Sequence, residues 1–206
     1  MLRLPPGLTG EVARNALLRD ASTAPVRALY TGVLYEALAL ATLNPAARRR
    51  AERTVVVVSA LFGALRLADP VPAYRLSMAV RLPGIGPVAA LWRAVLDSEL
   101  APGAGRRGAV VDQSSAEYVT AWRPRGDLAR RWVAVHLVRD RDGVRSVVSH
   151  SAKQTRGEVA RHLLRTGAAQ VSVHDVAEAL RGRFDAELGR PARPGAPWRL
   201  DVVLRD

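Results

Sequence analysis

The chain has 206 residues, 49% of them hydrophobic, which is enough for one domain with its own core. It contains no cysteine, which excludes disulfides and thiolate metal sites. No apolar stretch reaches the length of a transmembrane helix, and no basic-then-apolar leader opens the chain, so a cytoplasmic protein with no membrane partner is expected. The net charge of +12 points to an anionic partner, DNA or another phosphate-bearing ligand. Of the 31 basic residues, however, only Lys153 is lysine. So much arginine among many Ala, Gly, Pro and Val is the mark of a GC-rich genome, and charge alone leaves a solvated surface and a nucleic-acid face equally open.

In chain order, residues 1–10 read as a loop and Glu11 to Arg19 as a weak helix. Thr23 can cap a helix with Pro25 in its first turn, running to about Leu40 on an apolar stripe of Leu29, Val33, Leu34 and Leu38. Asn44-Pro45 starts a short helix whose arginines, Arg48 to Arg53, read as a solvated face. The four consecutive valines Val55 to Val58 are too few to span a membrane and too β-branched to favour a helix. They read as a strand buried on both faces, around which the rest is expected to be built. A polar, breaker-rich loop follows, with Gly63, Arg66, Asp69, Pro70, Pro72, Tyr74 and Arg75, where sites gather in open α/β sheets.

Leu82-Pro-Gly-Ile-Gly-Pro87 leads into a helix from Val88 with Trp92 buried. This string is similar to the hairpin of helix-hairpin-helix DNA-binding motifs, but Pro70 and Pro72 interrupt the place of a first helix, so a plain turn into a helix competes with that reading. Ala109 to Asp112 is a short strand. Ser114-Ser115-Ala116-Glu117 is a capping box in which Glu117 reaches back to a backbone amide, opening a helix that carries Tyr118 and Trp122. Trp132 to Val138 alternates as a strand, Asp142-Gly143 is a hairpin turn, and Val144 to Ser149 returns. Ser151-Ala-Lys-Gln is a second capping box, opening a helix from Ala152 to about Arg165. Lys153 and Arg156 lie in or near its first turn, where cations oppose the helix dipole unless an anion binds at the free amides. Gly157 inside that helix predicts something packed closely against it. A helix over Val173 to Leu180 and an alternating strand over Trp198 to Leu204 complete the chain. The mixture has no strict βαβ repeat and predicts an α+β fold, a mixed sheet flanked by helices, in a single compact domain spanning 1–206.

Catalytic signatures are missing. His136, His150, His162 and His174 form no metal-ligand pair, and there is no glycine-rich phosphate loop, nucleophile elbow or triad. No cofactor is expected. Asp69, Asp112, Glu117 and His150 have no ligand spacing that would favour direct iron binding.

Four segments together resemble a known family. Ser59-Ala-Leu-Phe-Gly63, Leu65-Arg66, Asp69-Pro70 and Tyr74-Arg75-Leu76-Ser77-Met78 resemble the SGLYG…LRP.D…PYRLEM block of the peroxide-stress YaaA family. Ser115-Ala-Glu117-Tyr118 is similar to its SNEY, Ser151-Ala-Lys153-Gln-Thr-Arg156-Gly157 to its YAKKARG, and Tyr30-Thr-Gly-Val-Leu-Tyr35 to its FTGDVY. The order is the same over nearly the whole chain. This chain departs with Ser77 in place of Glu, Ala116 in place of Asn and Gln154 in place of a second Lys. The family's opening strand is echoed only by Met1-Leu-Arg-Leu-Pro-Pro. The expectation is a member lacking that strand, through truncation or a start codon assigned too late, with sheet hydrogen bonds left unpaired at an edge.

The resemblance implies a cytosolic bacterial protein, without an established catalytic reaction, that limits hydrogen peroxide damage, binds DNA and is linked to lowering free iron. The expected anion-contacting set is Arg66, Tyr74, Arg75, Lys153 and Arg156. Tyr74 donates a hydrogen bond, Arg75 a bidentate fork and Lys153 a point charge, with Lys153 and Arg156 facing Tyr74 and Arg75. Ser59, Gly63, Ser115, Glu117, Tyr118 and Gly157 support it. The rival reading is an enzyme or binder for a small phosphorylated or nucleotide-like ligand, with the same residues in a pocket and Glu117 as a base.

Overall fold

The computed structural model describes residues 9–105, 107–141, 144–148 and 152–205. In chain order these form α1 (Thr9–Ala16), β1 (Thr23–Pro25), α2 (Val26–Leu29), α3 (Val33–Leu38), a 3-10 turn (Leu40–Thr42), α4 (Pro45–Thr54), β2 (Val56–Ser59), β3 (Gly63–Arg66) and β4 (Pro70–Pro72). Then come β5 (Arg81–Leu82), β6 (Gly86–Pro87), α5 (Val88–Gly103), β7 (Val110–Asp112), α6 (Ala116–Val119), α7 (Gly126–Ala129), β8 (Trp132–Arg141) and β9 (Val144–Val147). The chain ends with α8 (Ala152–Thr166), a 3-10 turn (Ala168–Gln170), α9 (Val173–Arg181), β10 (Asp185–Gly189) and β11 (Trp198–Arg205). The class is α+β with a mixed sheet flanked by helices, as the sequence predicts. The residues gather into two compact units. The first holds residues 1–30, 52–102 and 114–123, and the second 31–51, 103–113 and 124–206.

The second unit is built on a five-stranded sheet in the order β10-β11-β8-β7, with β9 also paired to β8. β11 runs parallel to β8 from Trp198↔Val133 to Arg205↔Asp140, and β7 is parallel to β8 on the other side. β10 and β9 are the antiparallel members. Alternation places Val133, Val135 and Leu137 of β8 on one face with Leu200 and Val202 of β11, all buried against Val159 and Leu163 of α8 and Val176 and Leu180 of α9. Ser172 caps α9, its hydroxyl accepting from the Asp175 amide. α3 packs on the opposite side of α8. There a methyl group at Gly157 would collide with the Leu34 carbonyl oxygen, stand 2.7 Å from the Ala37 Cβ and 3.0 Å from the Leu38 amide nitrogen. The close approach expected at Gly157 is therefore helix on helix.

Two arginines tie helix ends together in this unit. Arg161 donates to the carbonyls of Leu38 and Ala39 at the end of α3, and Arg50 to those of Leu164 and Arg165 at the end of α8. Both cap carbonyls at the negative end of a helix dipole, the Ala39 carbonyl also accepting from the Thr42 amide and hydroxyl. The arginine run of α4 is thus only partly a solvated face: Arg48, Arg49 and Arg53 are exposed, whereas Arg50 is a half-buried cap.

Among its described residues the first unit has no large sheet. It contains three two-stranded antiparallel ribbons, β1–β4, β2–β3 and β5–β6. Met78, Val88, Leu96, Leu100 and Ala121 form its core with Ala60, and Trp92, Tyr118 and Trp122 pack around them. Here the structure corrects several expectations. The valine run is not a strand buried on both faces. β2 alternates, with Val57 and Ser59 buried and Val56 and Val58 half-buried. Its partner is β3, part of the stretch read as a loop, because Gly63 takes a left-handed φ of 73° that closes the hairpin. The helix expected from Thr23 to Leu40 is instead β1 followed by two short helices. Tyr30 breaks them with an extended ψ of 102°, and Val26 and Arg27 donate to the carbonyls of Asp69 and Leu67. Residues 73–80 contain no helix, so the 82–87 string is the plain alternative: a two-strand hairpin running straight into α5. α6 ends at Val119 and does not reach Trp122. β10, whose Asp-Ala-Glu-Leu-Gly composition carries no strand signal, is an addition. The Asp142-Gly143 turn, Ser151 and His150 lie outside the described residues, although the β8–β9 register on either side, Arg141↔Val144, is that of a hairpin.

Gly157→Ala should destabilise the chain by roughly 1–3 kcal/mol in urea unfolding, toward the upper end because the obstacle is backbone. Gly32→Ala is the control. Nothing lies within 4 Å of an added Cβ there and φ is −68°, so its effect should stay within about 0.5 kcal/mol.

Candidate functional site

In the first unit the β2–β3 turn organises a row of hydroxyls. Ser59, at the end of β2, is 1% exposed. Its Oγ accepts from the amides of Leu61 (3.1 Å) and Phe62 (2.9 Å), holding the turn. With both lone pairs engaged, the Ser59 proton goes to the Tyr74 hydroxyl, 2.6 Å away. Tyr74 then donates to the Tyr30 hydroxyl at 2.9 Å. The extended break at Tyr30 is what lets its ring reach this row. Burial, above all, pushes the Tyr74 phenol well above its ordinary value of 10, against the Ser59 hydrogen bond, which lowers it. Burial and then the nearby Tyr74 raise Tyr118 in the same way. Phe62 stands edge-on to Tyr74 with ring centroids 5.2 Å apart.

Gly63 pairs with Ser59 across the hairpin. A Cβ there would sit 2.5 Å from the Trp92 ring, whose Nε1 donates to the Ala60 carbonyl at 2.8 Å. Ser59, Gly63, Tyr74 and Tyr118 are therefore brought together. Arg66 is not part of that group. It occupies the other end of β3, three residues or about 10 Å from Gly63. Its amide donates to Asp69 Oδ2 (2.7 Å), and its Nη1 reaches the Arg53 carbonyl at 3.4 Å.

Arg75 is held by its main chain. Its amide donates to Asn15 Oδ1 (2.9 Å), and its carbonyl accepts from Asn15 Nδ2 (2.7 Å). The guanidinium is exposed and has no partner among the described residues. Asn15 has no sequence signal for this role, since its partner is 60 residues away. Ser115 makes no side-chain cap. Its hydroxyl donates to Glu117 Oε2 at 2.8 Å.

In the second unit Lys153 is exposed on the first turn of α8, and Gly157 is in the α3 contact. Arg156 is half-buried. Burial lowers the pKa of its guanidinium, against the nearby Asp112 carboxylate, and its Nε is buried without a hydrogen-bond partner. Gln113, unremarked in the sequence, also buries both amide atoms without partners. Among the described residues no three His, Asp or Glu side chains are grouped to hold a metal ion.

Comparison with known proteins gives a consistent result. A family model described as peroxide stress protein YaaA matches residues 4–186, a span that contains all four resembling segments. A UPF0246 protein of Streptomyces coelicolor is 45% identical over 207 residues, covering all of this chain and 78% of that protein. One from Corynebacterium efficiens is 36% identical over 179 residues, 85% of this chain and 69% of its own. One from Ruegeria sp. is 31% identical over 178 residues, 81% and 68% respectively.

The hydroxyl row is testable by phenolate absorbance. Of the four tyrosines, Tyr74 and Tyr118 should ionise only above the ordinary value of 10. Because folding raises these values, the stability they carry is complete below pH 10 and is lost as pH rises further. Tyr74→Phe should remove one late-titrating group and cost about 1 kcal/mol, since Ser59 loses its acceptor. Four tyrosines titrating together near 10 would overturn this assignment.

Proposed function

The chain belongs to the peroxide stress protein YaaA family, and from that premise we propose that it protects the bacterial cytosol against peroxide by binding DNA through its arginines, without catalysing a reaction. The observation that carries this reading is the contrast between paired and unpaired cations. In the first unit Arg19, Arg27, Arg53, Arg75, Arg81 and Arg123 are exposed, and their side chains have no partner among the described residues. In the second unit several arginines are neutralised. Arg145 forms a two-pronged bridge to Glu187 at 2.6 Å, and Arg199 lies 2.8 Å from Asp201. Even so, this unit holds 21 of the 31 basic residues against 12 of the 19 acidic ones, a balance of +9.

Unpaired surface guanidinium groups suit phosphate oxygens, which they meet as two-pronged donors, and their attraction to a duplex is set by counterion release. The residues proposed to meet phosphates are Arg66 and Arg75 on the first unit and, separately, Lys153 and Arg156 on the second; Tyr74, whose proton goes to Tyr30, is not among them. Arg75 is the strongest member, because Asn15 fixes its backbone while its charge stays open to solvent. On this reading the link to free iron is indirect, a consequence of stress protection.

Fluorescence anisotropy with a short duplex should show affinity falling steeply and linearly on a log–log plot of salt. Arg75→Ala and Lys153→Ala should each reduce the slope by about 1, the share of a single neutralised phosphate. A complex whose affinity ignores salt, or no complex at low salt, would refute DNA binding. A strain carrying Arg75→Ala should also be more sensitive to hydrogen peroxide than one carrying the unaltered protein.

A further inference from the structure

Within the second unit three strands of the sheet, β7, β8 and β11, run parallel. Parallel strands start at the same end of a sheet, so the segments that enter them meet there. Residues 104–109 enter β7, 124–131 enter β8 and 190–197 enter β11. Strand register and hydrogen bonds hold these segments side by side. Val110 stands opposite Trp132, and Trp198 opposite Val133. The Arg131 guanidinium donates to the carbonyls of Gly108 (2.5 Å) and Gly105 (2.8 Å). The Trp198 indole donates to the Arg130 carbonyl at 2.9 Å.

Among the described residues the three segments carry Arg107, Arg125, Arg130, Arg131, Arg190 and Arg193 against one carboxylate, Asp127. Arg131 is committed to its two carbonyls, and Arg130 lies 3.7 Å from Asp127 in an exposed pair. Arg107, Arg125, Arg190 and Arg193 are exposed, and their side chains have no partner among the described residues. Like charges gathered at one end of a sheet raise the local potential and draw an anion. Small-molecule sites of open sheets lie at the carboxyl ends of strands, whereas this is the amino end. The three strands are neighbours, spaced so that their entering segments cover roughly 10 Å. That spread suits a polyanion better than a single phosphate.

The segment entering β11 has the build of a stiff arm. Pro191, Pro194 and Pro197 each fix their own φ. The Ala196 amide donates to the Arg193 carbonyl at 3.0 Å, closing a tight turn with Pro194 second and Gly195 third, at a φ of 78°. Arg193 opens this turn, so its backbone has little freedom to lose on binding. The major groove is read by a helix or a two-stranded ribbon laid into it. At this end of the sheet the described segments are turns and the one-turn α7. The narrow minor groove of an A·T tract, with its deeper negative potential, instead takes in single arginines. We propose that the amino end of β7, β8 and β11 is a contact surface for duplex DNA, with Arg107, Arg125 and Arg190 on phosphates and Arg193 in the minor groove of an A·T-rich tract. This deepens the DNA-binding reading, rests on it, and uses none of the residues named for it above.

Fluorescence anisotropy on the full chain with two hairpin duplexes of equal length, one A·T-rich and one G·C-rich, tests it. The A·T-rich duplex should bind more tightly, and netropsin, a minor-groove ligand of A·T tracts, should displace the protein from it. That displacement is read on the unaltered chain and needs no variant to fold. Arg193→Ala should bring the two affinities together. Arg190→Ala should keep the preference and lower the salt slope by about 1, the share of one phosphate. Neither side chain bonds to the protein among the described residues, so both variants should melt where the unaltered chain does. Equal affinity for the two duplexes, no displacement by netropsin, or a preference that survives Arg193→Ala would overturn this surface and leave DNA binding standing. No binding of either duplex at low salt would refute DNA binding and this surface with it. Arg75→Ala separates the two readings, because it should weaken both duplexes alike and keep the A·T preference.

Discussion

The parallel pairing of β8 with β11 is the constraint on which the second unit depends. Eight consecutive residues of each strand are in register, and every other strand of the sheet attaches to one of these two. A parallel pair cannot be closed by a tight turn, so the chain between them must make a long crossover. That crossover supplies α8 and α9, which cover the buried face with Val159, Leu163, Val176 and Leu180. Once α8 is fixed on the sheet, its outer side must accept α3, and only glycine at position 157 lets the two backbones approach so closely.

The first unit obtains its order differently. Two-stranded ribbons are marginal alone, so polar interactions carry more of the burden. Ser59 is the centre of these. It closes the β2–β3 turn through two amides and passes its proton to Tyr74, which passes its own to Tyr30. The break between α2 and α3 follows from the same network, because a continuous helix would not leave Tyr30 in the extended conformation that its hydroxyl bond accompanies. Several residues shared with the family pattern thus have a structural task, while the exposed guanidinium of Arg75 has no partner among the described residues.

Much of the helical structure was legible in the residues. α4 begins where Asn44 and Pro45 place it, with Asn44 Oδ1 accepting from the Ala47 amide, and α8, α9, β8, β9 and β11 lie close to their expected positions. These segments have strong local periodicity or a cap. The failures share a cause. Val55 to Val58 is apolar enough for a fully covered strand, but burial depends on what covers it, and the partner that formed was the adjacent glycine-turned segment. Thr23 and Pro25 look like a helix start, yet antiparallel pairing with β4 satisfied that backbone instead. Tyr74, Arg75, Lys153 and Arg156 stand out in sequence, whereas Asn15 does not, since its partner lies 60 residues along the chain.

By itself the sequence determined the α+β class, the family, and a large positive charge carried almost entirely by arginine. It did so because composition, periodicity and motif order are local properties of the chain. Only the tertiary structure decided which arginines are caps, which are paired with carboxylates and which remain free in solvent. It likewise buried the amide atoms of Gln113 and the Nε of Arg156 without a hydrogen-bond partner. These outcomes depend on strand register and helix packing between distant segments, and no local pattern encodes the burial that turns an ordinary Gln or Arg into an unsatisfied group.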